Sequence, residues 1–422
     1  MSKPVTEIIE FNPTRRLSKG NIAPFIDMAS LPINARDINE ISFKEFKGGT
    51  KFQNGDILFA RITPCLENGK TAKVNCLSDN VIGHGSTEFI VLSAKLPDYD
   101  EDYIYYLTRL PEFREFARQR MEGTSGRQRV SWQSLSEFTY DFPEKEIRWK
   151  NAQILKVFDD KIQLNTQINQ TLEQIAQTIF KSWFIDFDPV QAKANALASG
   201  QAAEQAIQAA MTVISGKNTQ ELHRLQTANP EQYQQLWEIA EAFPSGFDEE
   251  GVPRGWAVKR IEDVIRKIPT GKKYSQKTAF EVGNIPILDQ GKSGVIGYHN
   301  DEAGVKASIE NPVIVFANHT CYMRLISYDF SAIQNVFAFV GKESNVLWTY
   351  LATLGKQEFT EYKGHFPDFL IKEIIVPNNE LTELFGVVVK EHFQQIACND
   401  KQNKTLANLR DLLLPKLLSG VV

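Results

Sequence analysis

The sequence repeats one long segment: residues 143–184 correspond to residues 377–418 without a gap, at a constant offset of about 234 positions. Polar positions match as well as apolar ones, and Asn165, for example, aligns with Asn399. Chance similarity between two amphipathic helices would not extend to the polar positions. The repeat therefore predicts a chain built from two similar halves with approximate two-fold symmetry.

The two halves also correspond before this segment, although the offset changes where their loops differ in length. Residues 57–60 match 314–317, and Tyr106 matches Tyr350. Because 422 residues exceed one ordinary core, we expect two domains with connecting structure. The predicted regions are a first domain at 1–142, a first helical region at 143–190, a connector at 191–254, a second domain at 255–376 and a second helical region at 377–422.

Each half is predicted to have a mixed α/β (α+β) fold. Residues 57–60 and 89–92 are typical of short buried strands, and residues 102–120 have helical spacing with a break near Pro111. The corresponding strands and helix of the second half are predicted at 312–316, 336–340 and 346–354.

Both copies of the repeat have a seven-residue pattern that is typical of a coiled-coil seam. Each copy has asparagine at the same two seam positions, where a polar residue costs stability but fixes the alignment of paired helices. The alternative is that these asparagines are partly solvated and only tolerated. The predicted pairing residues are Leu155, Phe158, Ile162, Asn165, Asn169, Leu172, Ile179, Trp183 and Phe184 in the first copy, and Ile396, Asn399, Asn403, Leu406, Leu413 and Leu417 in the second.

The composition is that of a soluble globular protein, with 42% apolar and 23% charged residues. No secretory signal or long apolar run is present, so we expect a cytoplasmic protein without membrane contact. The four cysteines are scattered and predict neither a disulfide nor a metal site. The first domain has 18 basic and 19 acidic residues, so the overall charge does not by itself suggest DNA binding.

Motifs for catalysis are missing from the sequence. An adenine methyltransferase needs an Asn/Asp-Pro-Pro-aromatic loop, and the nearest string, at 311–314, lacks the second proline and the aromatic residue. Two Gly-Lys-Ser/Thr strings have Pro64 and Pro286 where a phosphate-binding loop needs glycine. We therefore predict no catalytic residues, and any chemistry must come from partners.

Four strings, in their order and spacing, resemble the specificity (S) subunit of Type I restriction-modification enzymes. They are NGDILFARITPCLENGK at 54–70, IFKSWFIDFDPV at 179–190, GW at 255–256 and LRDLLLPKLLSG at 409–420. The resemblance covers essentially the whole chain and implies two target-recognition domains separated by an antiparallel pair of long helices.

The resemblance also implies a function and partners. Each domain would read one half of a bipartite double-stranded DNA target, and the helices would act as a spacer ruler and as a docking site for two modification subunits. Those subunits would carry S-adenosylmethionine, and the ATP- and Mg-dependent chemistry would belong to restriction subunits. We expect no cofactor in this chain.

Candidate DNA contacts follow from local charge, because arginine and lysine bind phosphates and arginine reads guanine. In the first half they are Arg61, Lys70, Lys73, Arg109, Arg114, Arg118, Arg120, Arg127 and Arg129. In the second half they are Lys272, Lys273, Lys292, His319, Lys363 and His365. Two other functions stay open: a fused methyltransferase or nuclease, and a coiled-coil scaffold that joins proteins without touching DNA.

Overall fold

The structure is a computed structural model that describes residues 2–33, 35–38, 40–124, 126–291, 294–361 and 363–420. It divides into two units. Unit 1 consists of Met1–Gln167 and Asp400–Val422, and unit 2 consists of Ile168–Asn399. The division cuts across the predicted helical regions, because each long helix contributes residues to both units.

The described part of unit 1 contains short strands, three helices and the first long helix. The strands are β1 (Lys3–Pro4), β2 (Ile9–Phe11), β3 (Ile22–Ile26), β4 (Ser42–Glu45), β5 (Thr50–Phe52), β6 (Ile57–Ala60), β7 (Thr71–Lys73), β8 (Gly83–Gly85), β9 (Phe89–Ala94) and β10 (Thr139–Tyr140). The helices are α1 (Pro97–Leu107), α2 (Pro111–Gln119), α3 (Trp132–Ser136) and α4 (Lys145–Phe184), the last of which continues into unit 2.

Two four-stranded sheets form the first domain. One has the order β2-β9-β6-β7 and the other β4-β3-β8-β5. Strand β6 is buried along its whole length, as its apolar sequence predicts, and it follows a turn at Gly55, whose φ of +91° suits glycine. The predicted helix break is also confirmed, because Pro111 begins α2 and cannot continue α1.

Unit 2 begins with the end of α4 and a helical connector. The connector contains α5 (Asp188–Ala198), α6 (Ala203–Ser215), α7 (Thr219–Ala228) and α8 (Pro230–Ala242). The strands are β11 (Ala257–Arg260), β12 (Ile265–Ile268), β13 (Lys273–Tyr274), β14 (Ile285–Leu288), β15 (Val295–His299), β16 (Val313–Ala317), β17 (Met323–Ile326), β18 (Ser331–Ile333), β19 (Val336–Gly341) and β20 (Glu373–Val376). The remaining helices are α9 (Ile261–Val264), α10 (Val346–Thr353), α11 (Phe366–Leu370) and α12 (Asn379–Leu418).

The second domain repeats one sheet of the first domain and changes the other. The order β12-β19-β16-β17 matches β2-β9-β6-β7 strand for strand. The other sheet has the order β13-β18-β14-β15, and its β14 is parallel to β18, whereas β5 is antiparallel to β8 in the first domain. One sheet is therefore the shared scaffold, and the second sheet is where the domains differ.

The internal repeat forms two helices of equal length. Helices α4 and α12 each have 40 residues, and their starts and ends differ by the same offset that the sequence shows. Within unit 1, the Asn151 amide donates to the Leu417 carbonyl at 2.7 Å and the Asn165 amide to Asn403 Oδ1 at 2.8 Å, so this part of the pair is antiparallel. The predicted α/β fold with two similar domains and long helices is confirmed.

Candidate nucleic-acid interface

Most of the cations predicted for the first domain lie on helix α2 or on segments near it in unit 1, whereas Lys73 on β7 is paired with acids of helix α1. The Arg61 carbonyl accepts a hydrogen bond from the Val130 amide at 3.0 Å. The Arg114 guanidinium donates to the Gly69 carbonyl at 3.1 Å. The loop after β6, helix α2 and the turn at 127–130 are therefore neighbours, as a common DNA-binding surface requires.

Several of these cations are engaged with acidic side chains. The ion pairs join Lys73 to Glu101 and Asp102, Arg118 to Glu115, and Arg129 to Glu88. Each acid offsets the positive charge that would attract a phosphate. A DNA contact by one of these residues would require the ion pair to open or to share its cation.

Other predicted cations are used within the domain. The Lys70 ammonium donates to the Met28 carbonyl at 2.6 Å, and the Arg120 guanidinium lies 3.4 Å from the Phe116 ring centroid. Arg109 lies against Tyr105, with 3.5 Å between its guanidinium and the hydroxyl. Burial lowers the pKa of Arg114 to about 10, so this group stays charged at neutral pH. Arg127 remains exposed in its turn.

The candidates of the second domain fall into two groups. His319 and Lys363 are adjacent, since His319 Nδ1 lies 2.9 Å from the Lys363 carbonyl. Lys272 lies apart from them and forms an ion pair with Asp301 at 2.7 Å, and the Lys273 ammonium donates to Thr270.

His365 and Lys292 differ from the other candidates. His365 is fully buried, with Nε2 at 3.0 Å from the Glu361 carbonyl, so this conformation withholds its side chain from DNA. The histidine was chosen for its type and its loop position, and burial could not be read from either. Lys292 lies outside the described residues.

A Ser331–His299–Asp301 group in unit 2 has the residue types of a hydrolase triad but not its geometry. His299 Nε2 lies 2.9 Å from Ser331 Oγ, and the Asp301 backbone amide donates to His299 Nδ1 at 3.1 Å. Because Nδ1 accepts, the proton of the neutral ring is on Nε2, which donates to serine and cannot take its proton. Burial also lowers the pKa of His299, which favours this neutral form.

The predicted seam positions of the long helices are buried or half-buried. In unit 1, α4 and α12 meet through a buried polar network next to Asn165. The Arg410 guanidinium is paired with Asp159, and these side chains are 2% and 4% exposed. Asp159 also accepts a hydrogen bond from the Tyr106 hydroxyl at 2.7 Å.

In unit 2 the helices meet through aromatic residues and one asparagine pair. The Asn399 amide donates to Asn169 Oδ1 at 2.8 Å. Trp183 packs edge-on against Phe385 with 5.7 Å between ring centroids, and Phe180 packs on the same ring at 5.7 Å. The role of the seam residues in subunit docking stays a prediction.

A further group of cations, none of which is among the predicted DNA contacts, surrounds strand β4. Residues 12–26 and 41–52 contain six basic residues and one acidic residue. The domain as a whole is nearly neutral, so counting charge over the domain hid this group. A charge count over short stretches of sequence would have detected each of the two basic segments. It would not have shown that the two segments are neighbours in one sheet.

Comparison with known proteins identifies the family. The sequence model of the Type I restriction modification DNA specificity domain matches residues 2–174. The chain is also 33% identical, over 90% of its length and 89% of the relative, to the Type I restriction enzyme HindI specificity subunit of Haemophilus influenzae. This chain belongs to the family of Type I restriction enzyme specificity subunits.

Another member of the family, the MjaIX specificity subunit of Methanocaldococcus jannaschii, is 25% identical and covers 76% of this chain and 68% of its own. The crystal structure of a Type I restriction-modification S subunit from M. genitalium aligns with 99% of this chain and 96% of its own, at 14% identity and a TM-score of 0.47. The resemblance predicted from the sequence is confirmed. These relatives are specificity subunits, which supports the prediction that the chain is noncatalytic.

Three properties of the described residues bear on other predictions. No helix among them is long and apolar enough to cross a membrane. Cys65, Cys76, Cys321 and Cys398 are free cysteines. In the same residues, no group of three or more histidine, cysteine, aspartate or glutamate side chains could hold a metal ion.

Proposed function

We propose that this specificity subunit selects the DNA target of a Type I restriction-modification complex, with each domain reading one half of a bipartite sequence. The observation that carries the proposal is the 33% identity to a named specificity subunit over nearly the full length of both chains. Family membership at this coverage includes both domains and both long helices.

The pattern of similarity between the domains supports two different half-sites. The sheets β2-β9-β6-β7 and β12-β19-β16-β17 have the same strand order, whereas the other two sheets differ in order and direction. A common scaffold with changed peripheral elements is the arrangement expected when two copies bind two sequences. The coiled-coil scaffold without DNA contact has no such reason to change one sheet.

The repeated helices support the proposed partners. Two helices of 40 residues each, with a common pattern of seam positions, provide two similar docking surfaces, which suits two copies of one modification subunit. We propose that those subunits supply S-adenosylmethionine chemistry and that restriction subunits supply the ATP- and Mg-dependent steps. The cytoplasmic location remains a prediction from the sequence.

The experiment is to express the full chain with the modification subunits of its own system in a host without adenine methylation. Sequencing of the modified bases should give one bipartite motif with a fixed gap, and the complex should bind that duplex more tightly than a shuffled one. Random methylation, or equal binding to both duplexes, would contradict the proposal. Methyl transfer by the chain alone would contradict its noncatalytic role.

A second experiment tests the ruler. Deleting residues 171–177 and 391–397 removes one heptad from each helix and keeps both asparagine pairs. Seven residues correspond to about 10 Å of helix, or roughly 3 base pairs. We expect the gap between half-sites to shorten by about that amount or assembly to fail, and an unchanged gap would reject the ruler.

A further inference from the structure

Strand β4 is an edge strand that is exposed along its whole length. It pairs with β3, and the adjoining segments contain six basic residues and one acidic residue, in a chain whose formal net charge is −5. An exposed edge strand offers unpaired backbone groups and normally carries charges that prevent association with other strands. Here almost all of the charges are positive. Preventing association with other strands does not require charges of a single sign.

Main-chain contacts bring the two basic segments together. The Gly20 amide donates to the Phe46 carbonyl at 3.0 Å, and the Phe46 amide donates to the Asn21 carbonyl at 2.8 Å. The Lys51 ammonium donates to the Arg15 carbonyl at 3.1 Å. The loop at 12–21 therefore lies beside the turn that joins β4 to β5, and the two basic segments meet at one edge of the sheet.

Aromatic rings next to this sheet edge hold two of the lysines in place. The Lys44 ammonium lies 4.0 Å from the Phe25 ring centroid, and the Lys51 ammonium lies 5.0 Å from that of Phe46. Both rings contact the buried His84 ring, at 5.0 and 5.3 Å between centroids. An ammonium placed over a ring face is attracted by its quadrupole, so these lysines are held in position before any partner binds.

Two large apolar side chains project from the same sheet edge. Ile22 is 76% exposed and Phe43 is 66% exposed. Since Ile22 is opposite Glu45 and Pro24 is opposite Phe43, the two apolar residues lie on one face of the β3–β4 pair. Glu45 shares this face and is paired with Lys47 at 3.3 Å, whereas Lys44, opposite Ala23, lies on the other face. The sheet edge thus presents apolar groups on one side and a lysine on the other, which suits a duplex groove, where base edges such as the thymine methyl lie between two rows of phosphates.

The corresponding sheet of the second domain has a similar exposed pair. Phe280 is 58% exposed and Val282 is 84% exposed, in the segment between β13 and β14. Phe280 is fixed by reciprocal backbone hydrogen bonds with Tyr298 at 2.8 Å. The apolar pair thus appears in both domains on the sheet that differs between them.

We infer that the surface formed by Arg16, Lys19, Lys44, Lys47, Ile22 and Phe43, here called the basic ridge, is the DNA-contacting surface of the first domain. Its cations bind phosphates, and Phe43 with Ile22 contacts base edges of the half-site. The inference rests on the proposed function and assigns it to a surface other than the arginines around α2. Lys47 is paired with the exposed Glu45 at 3.3 Å, whereas the ion pairs of the described residues include none of Arg16, Lys19 and Lys44. The positive charge favours DNA over a second protein as the partner.

The test uses the full chain in complex with its modification subunits and the duplex identified by methylation mapping. Three sets of substitutions are compared: K19Q/K44Q/K47Q on the basic ridge, R120Q/R127Q near α2, and R224Q on the exposed face of α7 as a control. K19R/K44R/K47R keeps the charge. Binding is measured by fluorescence anisotropy over a range of salt concentrations, on the target duplex and on a shuffled duplex.

The glutamine triple variant should bind both duplexes roughly tenfold or more weakly at about 0.15 M salt and lower the slope of log K against log salt by about 2–3 units. The arginine triple variant and R224Q should keep the slope of the parent. Phe43→Ser should leave the slope unchanged and reduce the preference for the target duplex by roughly tenfold. The parent complex must first bind selectively, and its failure to do so would reject the proposed function itself.

A selective parent combined with unchanged binding by K19Q/K44Q/K47Q and Phe43→Ser would overturn the inference alone. A lower slope for R120Q/R127Q and not for the ridge variant would return the interface to α2. Loss of the modification subunits during purification of the ridge variant would identify a protein-docking surface instead, and this outcome also overturns the inference. Because all substituted ridge residues are exposed, their melting temperatures should match the parent.

Discussion

Each unit has a tyrosine at a corresponding position, Tyr106 on α1 and Tyr350 on α10, that contacts one of the repeated helices, but the two tyrosines have different partners. In unit 1 the Tyr106 hydroxyl donates to Asp159, which is paired with Arg410. In unit 2 the ring of Tyr350 packs edge-on against Phe393, the residue that corresponds to Asp159 in the repeat. The Tyr350 hydroxyl also donates to Glu173 on α4 at 3.2 Å. The tyrosine therefore keeps a carboxylate partner in unit 2, while the position of Asp159 holds an aromatic ring.

This difference extends along both helices. Arg410 corresponds to Ala176, and the Asn151–Leu417 hydrogen bond corresponds to the Phe385–Trp183 ring contact. The two copies keep the positions of the contacting side chains, whereas the residue types differ, and both members of a contact differ together. Such paired changes are expected because a buried charge or polar group without its partner is costly. A substitution at one of these contacts should therefore be tolerated only when the contacting residue is substituted with it.

The largest expected effect comes from breaking the charged pair of unit 1. Asp159→Phe copies the residue of unit 2 and leaves the buried Arg410 with Asp411, which is 52% exposed, as its remaining acidic partner. Losing the buried partner should lower the free energy of unfolding by about 3–5 kcal/mol. D159F/R410A copies both residues and should recover most of that loss. The measurement is urea unfolding followed by circular dichroism.

If the double variant is no more stable than D159F, the phenylalanine and alanine of unit 2 cannot replace the charged pair of unit 1. Arg410→Ala alone is the matched control, because it leaves Asp159 with the Tyr106 hydroxyl and should cost less than D159F.

The next effect comes from the aromatic contact of unit 2. Trp183 is 2% exposed and corresponds to Leu417 in unit 1. Trp183→Leu should cost about 2 kcal/mol and Trp183→Ala about 3–5 kcal/mol, since the cavity left by alanine is larger. Thermal unfolding by calorimetry checks this order. Equal losses for both variants would indicate that the surrounding rings collapse into the space.

A smaller effect is expected where the units are alike. The pairs Asn165–Asn403 and Asn169–Asn399 are each other's counterparts in the repeat. N165L/N403L and N169L/N399L should each change the free energy of unfolding by about 1 kcal/mol in the stabilising direction, by similar amounts. Urea unfolding measures both. A difference larger than about 1 kcal/mol between them would show that the seam is not equivalent in the two units.

The smallest effect concerns alkaline pH. Burial raises the pKa of Tyr103, Tyr105 and Tyr106 above the ordinary value of 10.0. Above pH 10 the unfolded chain loses these protons while the folded chain keeps them, so stability should fall as pH rises. Tyr106→Phe should remove about 0.8 kcal/mol of the loss between pH 8 and pH 10.5.

Urea unfolding at these two pH values gives the slope of stability with pH. Tyr233→Phe on α8 is a control, because Tyr233 lies outside these buried tyrosines, in the connector. An identical slope for the parent and Tyr106→Phe would contradict the raised pKa.

The family, the repeat, the two long helices and several of the strands and shorter helices were predictable from the sequence. The repeat offset gave the lengths of α4 and α12, since a helix depends on local spacing and end signals that both copies retain. Strand β6 was evident from its uninterrupted apolar residues, and α2 from Pro111. These features depend on residues close together in the sequence.

The surface available to DNA was decided only by the tertiary structure. Arg118 and Arg129 are basic by type, but their acids come from chain positions that only folding brings to them or orients toward them. The cations around β4 come from two segments that the sheet joins, and His365 is buried by its surroundings. Electrostatic potential and exposure depend on distances in space, so a sequence determines which charges exist but the fold determines which of them face a partner.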